Sequence, residues 1–358
     1  MVAVFRGLAL TLLCFSMADA AAAQAPQTLV DLVREGEREA VLAAITSPDL
    51  DVNVTAPDGS TALLWATHAV DHDLVRALLK AGAKANVANR YGSTPLAEAV
   101  KLGDLRLVTL LLDAGADVAS ANEDNQTALM LASSIGALDV AKLLIARGAQ
   151  VNTMETFRGQ TALMWAASEG HADIVDLLLA HGADVAPRAK SDDWPRQVTS
   201  EPRAQFRQTG GHTALLYAAR SGCTRCAVSL VKAGADVNQP NPDGVTPLLN
   251  ALDNRSFDIA MFLLDRGANP QAWDMNGRTP LYIAVDMNSF GPRGSGGGFG
   301  TSTIARPPNV AKAMDVVRRL LAMGVNPNHQ LTRMRPNGAS RGRFSEYMLR
   351  GGTTPLMV

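Results

Sequence analysis

Cys223 and Cys226 are the residues of this 358-residue chain whose type and spacing point most directly to chemistry. A Cys-x-x-Cys pair can close a local disulfide in an oxidising compartment, and a thiol at a helix N-terminus acquires a lowered pKa, the basis of redox motifs with this spacing. No βαβ pattern surrounds the pair, which favours a structural role, as two thiols or a disulfide, over redox catalysis. Zinc would want two more ligands at suitable spacing, and none is evident. The histidines are His68, His72, His171, His181, His212 and His329; the first two straddle a turn, and all six read as surface or capping residues. No Gly-x-Ser-x-Gly elbow, His-Glu-x-x-His pair or glycine-rich phosphate loop occurs. No catalytic residue, cofactor or metal ligand is assigned, and the chain is read as non-enzymatic.

The elements that position these residues come from a repeat. Thr followed by Ala or Pro and then Leu recurs at Thr61, Thr94, Thr127, Thr161, Thr213, Thr246, Thr279 and Thr354, at gaps of 33, 33, 34, 52, 33, 33 and 75 residues. A closing glycine recurs in step at Gly82, Gly115, Gly148, Gly182, Gly234, Gly267 and Gly324. Two markers advancing together by about 33 residues indicate a solenoid. Each unit begins with a turn such as Asp58-Gly59, continues with a Thr placed to cap a short helix, and passes through a second turn to an amphipathic helix. Small Ala residues in the first helix allow neighbouring units to approach closely. Aligned on the preceding unit, Cys223 replaces His171 at the inter-helix turn and Cys226 replaces Ile174, a core position. Trp65, Trp165 and Tyr217 share one register of the first helix, which suits either a hydrophobic binding strip or packing between units.

The pattern, clearest from Gly159 to His171 and on to His181-Gly182-Ala183-Asp184-Val185, resembles the ankyrin repeat over residues 28–358. The resemblance implies an all-α solenoid of helix-turn-helix units with β-hairpin fingers. It also implies that binding uses the fingertips and the exposed ends of the first helices. Mapped here, the tips are Arg90 and Tyr91, Glu123 and Asp124, and Phe157 and Arg158; the helix ends are His68, Lys101, Glu169, Arg220, Asp253 and Asp286. Their mixed signs suit a structured protein partner rather than a polyanion. The family's usual His after the first-helix Leu is replaced by Leu64, Ala97, Met130, Met164, Leu216, Leu249 and Tyr282, so apolar contacts are expected there in place of the usual hydrogen bonds.

Three insertions, near 188–211, 289–309 and 329–352, break the period, while residues 29–45 read as a polar N-terminal capping helix pair. About seven repeats follow, the last broken off at Val358; this suggests a longer array, or the scaffold half of a larger extracytoplasmic protein. Residues 1–23 read as a signal peptide: Arg6, an apolar stretch from Gly7 to Met17, and Ala-x-Ala steps that favour cleavage after Ala20 or Ala23. The overall look is similar to bacterial secreted ankyrin-repeat proteins. A net charge of −1 and a pI near 6.6 supply no field for nucleic acid, and no later apolar run is long enough to span a bilayer. The expectation is a periplasmic or secreted scaffold that binds another protein.

Overall fold

A computed structural model describes residues 28–191, 210–289 and 309–329. The signal-peptide expectation, most of the three insertions and the broken final unit with Thr354 lie outside the described residues. Within them the chain forms helix pairs: α1 (Leu29–Glu35) and α2 (Arg38–Ala44), α3 (Ala62–His68) and α4 (His72–Lys80), α5 (Pro95–Lys101) and α6 (Leu105–Asp113), α7 (Ala128–Ile135) and α8 (Leu138–Ala146). The series continues with α9 (Ala162–Glu169) and α10 (Ala172–Ala180), α11 (Ala214–Ser221) and α12 (Thr224–Lys232), α13 (Pro247–Asp253) and α14 (Phe257–Asp265), α15 (Pro280–Ser289) and α16 (Ala313–Ala322). Odd-numbered helices stack on odd-numbered ones, and even on even, giving an inner and an outer layer.

The local chemistry explains where the helices begin. Thr61, Thr94, Thr127, Thr161, Thr213, Thr246 and Thr279 each accept, through Oγ1, the backbone N–H three residues on. That satisfies one of the amides left over at a helix start, and removing such a cap typically costs about 1 kcal/mol. Pro95 and Pro247 occupy the first turn, where no amide donor is needed. At the other end of each unit the closing glycine, for example Gly182 at φ +79°, adopts the left-handed conformation that stops the outer helix.

Packing follows from residue size. Ala66, Ala99, Ala132, Ala166, Ala218, Ala251 and Ala284 recur at one inner-helix position and are fully buried. Their small side chains set the close approach of successive inner helices. In the outer layer Leu78, Leu111, Leu144, Leu178, Leu230, Leu263 and Leu320 are likewise fully buried, each worth about 1.5–3 kcal/mol relative to exposure. At the positions that lack the family's histidine, Leu64, Met130, Met164, Leu216, Leu249 and Tyr282 are buried, and Ala97 partly so.

The expected β-hairpin fingers are reduced. Among the described residues there is no strand, only isolated bridges at Thr55–Thr61, Ala121–Thr127, Met154–Thr161 and Ser191–Gly210. Neighbouring fingers are instead joined by single backbone bonds, Arg90 N–H to Asp58 O (2.8 Å), Thr156 N–H to Asp124 O (2.6 Å), Lys190 N–H to Arg158 O (2.7 Å) and Met275 N–H to Asp243 O (2.8 Å).

A second set of ties runs along the loops that follow the outer helices. Asn53, Asn86, Asn152 and Asn238 each donate Nδ2–H to the carbonyl of the next closing glycine, Gly82, Gly115, Gly182 and Gly267. Each also accepts, at Oδ1, the backbone N–H two residues beyond that glycine, from Lys84, Asp117, Asp184 and Asn269. An inter-repeat hydrogen-bond ladder therefore exists, carried by asparagine.

Candidate partner-binding surface

The fingertips are held by side chains folded back onto their own loops. Asp58 accepts from the Ser60 N–H, Asn89 from the N–H groups of Tyr91 and Ser93, Asn122 from Asp124 and Gln126, and Glu155 from Arg158 and Gln160. With polar groups consumed in shaping each turn, the residues between them point outward. Arg90, Tyr91, Glu123, Asp124, Phe157 and Arg158 are all exposed, Tyr91 by 79% and Phe157 by 69%. The Arg158 guanidinium lies 5.6 Å from the centroid of the Phe157 ring. Between Tyr91 and the next finger lies a groove lined by Ala97, Ala128, Leu131, Lys101, Asn122 and Gln126.

The helix-end residues divide into two groups. His68 is exposed and bonds Glu98 through Nδ1 (2.7 Å), while exposed Lys101 stands 3.8 Å from the same carboxylate. Glu169 is half-buried at the end of α9. Arg220 lies over the Tyr217 ring, 5.0 Å from its centroid. Asp253 is partly exposed but paired, and Asp286, expected at the surface, is buried. Asp253 is held in the fork of Arg278, which reaches back from the next finger with Nη1 and Nη2 at 2.9 and 2.8 Å. Arg278 Nε bonds Asp274 at 2.7 Å, and the Asp274 carboxylate is almost fully buried. Burial alone would depress the guanidinium pKa, but the two carboxylates outweigh it and raise it above the ordinary arginine value. Asp286, on α15, is buried, 5% exposed.

The aromatic register resolves toward packing. Tyr217 is buried and its hydroxyl accepts from Gln160 Nε2 (2.7 Å), tying α11 to the preceding finger; burial pushes its pKa up, against the Gln160 bond and Arg220. Trp65 and Trp165 are partly buried, Trp65 against the core. The histidines act as ties: His72 bonds Asp104 (2.8 Å), His171 bonds the Ser134 carbonyl (3.1 Å), and His181 bonds the Leu177 carbonyl. His212 is buried against Tyr217, with ring centroids 5.3 Å apart. Desolvation lowers its pKa from 6.5 to about 4, aided by the Arg220 charge and opposed by Gly210 and Asp243. His329 stacks on Trp273.

Cys223 and Cys226 are joined by a disulfide, with Cα atoms 5.2 Å apart, across the first turn of α12. Cys223 stands at the N-cap of α12 as His171 does at that of α10, though only Cys223 accepts a backbone N–H there, and Cys226, like Ile174, is in the core. One exposed aromatic went unnoticed in the sequence. Trp273, 63% exposed, stands six residues before its capping Thr, where the other fingers have Thr55, Ala88 and Ala121. An aromatic ring where these three fingers carry Thr or Ala, and the finger before it Pro240, was the available signal.

Among the described residues no helix is long and apolar enough to cross a membrane. No curated protein matches the chain. The crystal structure of the human ASB11 ankyrin repeat domain superposes with a TM-score of 0.54 at 24% identity, covering 69% of this chain and 100% of that one, a likeness of fold. The family model described as ankyrin repeats (3 copies) matches residues 29–122, 103–189 and 215–291. With its capped helix pairs, closing glycines and more than half its length matched, the chain belongs to the ankyrin-repeat family.

Proposed function

We propose that this chain is a scaffold that binds another protein outside the cytoplasm, through the fingertips from Arg90 to Arg158 and the inner-helix ends His68, Lys101, Glu169 and Arg220. The observation that carries the reading is the fingertip row. Exposed Tyr91 and Phe157 flank Glu123 and Asp124 on successive fingers, and each tip is fixed by hydrogen bonds to its own loop. Rigid aromatic anchors between charges lose little freedom on binding, which is the combination that concentrates interface energy. Asp253 and Asp286 are left out of the surface because they are engaged within the fold.

Two observations support an extracytoplasmic setting: the leader-like residues 1–23, and a cysteine pair joined as a disulfide, which persists in oxidising compartments. N-terminal sequencing of the protein exported by its native host should begin at Ala21 or Gln24; a chain that keeps its first residues inside the cytoplasm refutes this part. The binding surface is tested by affinity capture with the wild type and a Tyr91→Ser, Phe157→Ser variant. A partner held by the wild type should lose at least tenfold in affinity, since each anchor residue is worth more than about 1 kcal/mol. Unchanged binding by a folded double variant sinks the proposed surface.

A further inference from the structure

We propose that Cys223 and Cys226 form a thiol–disulfide exchange site, with Cys223 as the attacking and attacked sulfur and Cys226 as its resolving partner. The first argument is what the bond does not do. It closes a loop of four residues inside one helical turn, so it ties no two repeats together and restricts the unfolded chain little. Cys226 is fully buried at the place where α10 has Ile174, and a free thiol there packs as a small apolar side chain. The solenoid is therefore built to keep its shape with the pair reduced.

The second argument is the position of Cys223. The outer helices α4 and α6 are capped by Asp71 and Asp104, whose carboxylates accept the N–H of Leu74 and Leu107 at 2.9 Å. In α12 the cap is Cys223, and its Sγ lies 3.1 Å from the Cys226 N–H. A sulfur thus occupies a place that holds an anion in sister repeats, so the same amide and the helix dipole stabilise a thiolate. The first turn of α12 carries no acid, and Arg225 takes the position of Asp73, Asp139 and Asp173 in α4, α8 and α10. Its charge is shared with Asp173 and Asp176, so the gain comes chiefly from the missing carboxylate.

The third is access. Cys223 is partly buried in the inter-helix turn, its Sγ 3.6 Å from the Gly170 carbonyl, whereas Cys226 is fully buried, so Cys223 is the sulfur nearer to solvent and the one to which exchange is directed. In the oxidising direction a substrate thiolate attacks Cys223 Sγ and a mixed disulfide forms. The S–S bond to Cys226 breaks, and Cys226 leaves as a thiolate that takes up a proton. The substrate's second thiol then displaces Cys223. Two electrons and two protons pass from the substrate dithiol to the pair, and the reverse reaction reduces a substrate disulfide.

The test uses the full chain carrying Cys14→Ser, reduced and then mixed natively with 5,5′-dithiobis(2-nitrobenzoate). The expected result is release of two thionitrobenzoate equivalents per chain as the pair closes again. Cys226→Ala should release one and retain the other as a stable mixed disulfide. Cys223→Ser should react about tenfold or more slowly, because only the buried thiol remains. Circular dichroism should be the same for oxidised and reduced chain. Equal rates for the wild type and Cys223→Ser, reaction only in denaturant, or loss of helix on reduction each overturn the proposal. Oxidised chain offered reduced ribonuclease A and, separately, glutathione identifies the substrate: faster oxidation of the protein marks a protein dithiol, faster oxidation of glutathione marks a small thiol, and oxidation of neither overturns it.

Discussion

Lowering the pH from about 8 to about 5 should weaken the solenoid around α11 through a single imidazole. His212 is 6% exposed, packed on Tyr217 with Arg220 nearby, and its pKa falls from 6.5 to about 4 on folding. A depressed histidine pKa means that the unfolded chain takes up a proton below 6.5, while the native protein resists it until about 4. Stability is therefore unaffected at pH 8, declines as pH falls through 6.5, and stops changing below 4. At pH 5 the unfolded state is favoured by about 1.5 units of proton affinity, close to 2 kcal/mol at 1.36 kcal/mol per unit. Gln126 and Gln160 occupy the corresponding place before their capping Thr, so His212→Gln removes the titrating group with a residue this fold already accepts there. Urea unfolding at the two pH values, wild type against variant, measures the term, and amide exchange in α11 gives a local readout should the repeats unfold separately. The variant should lose about 2 kcal/mol less than the wild type between pH 8 and pH 5. An equal loss in both, or a His212 titration midpoint near 6.5, refutes the reasoning.

Arg278→Met should destabilise the protein by about 3–5 kcal/mol, read from thermal or urea unfolding, because it removes the countercharge of the buried Asp274 carboxylate and the fork that binds Asp253. Gly136→Ala and Gly170→Ala impose the same left-handed strain at φ +80° and +79°, but only the former drives its new Cβ to 2.7 Å from the His171 ring. Gly136→Ala should therefore be the more destabilising by at least about 1 kcal/mol, and equal melting points would contradict the packing. Asn152→Ala removes two hydrogen bonds between repeats and should cost about 1–3 kcal/mol, with faster amide exchange at Asp184. Ala119→Asn, at a joint without the clip, should slow exchange at the backbone following Gly148.

Much of the fold was legible because an ankyrin unit is written in local chemistry. The capping Thr, first-turn Pro and closing Gly act within a few residues of themselves, so a linear reading places Thr161, Pro95 and Gly182 correctly. The burial of Cys226 was also readable, since alignment with Ile174 carries one repeat's packing to the next. Exposure of the fingertips followed for the same reason. Less legible were partners one repeat away. Asp253 looks like a surface acid until Arg278 reaches it from the next finger, and Asp286 looks exposed until its helix is stacked. The asparagine ladder was missed because Asn152 finds its partners about 30 residues on, at Gly182 and Asp184.

The sequence by itself determined the helix pairs, their caps, the period, and which residues stand at the fingertips, because each depends on backbone preferences and side-chain size within one unit. The tertiary structure alone decided which polar residues remain available. A charge or imidazole on an ankyrin repeat is exposed or enclosed according to what the neighbouring unit lays over it. His212 is enclosed in this way and Asp253 is taken up by Arg278, whereas Tyr91 and Phe157 stay at the rim. The cysteine pair belongs to both accounts: its spacing announces thiol chemistry, and only the stacked repeats bury Cys226 completely while leaving Cys223 partly exposed.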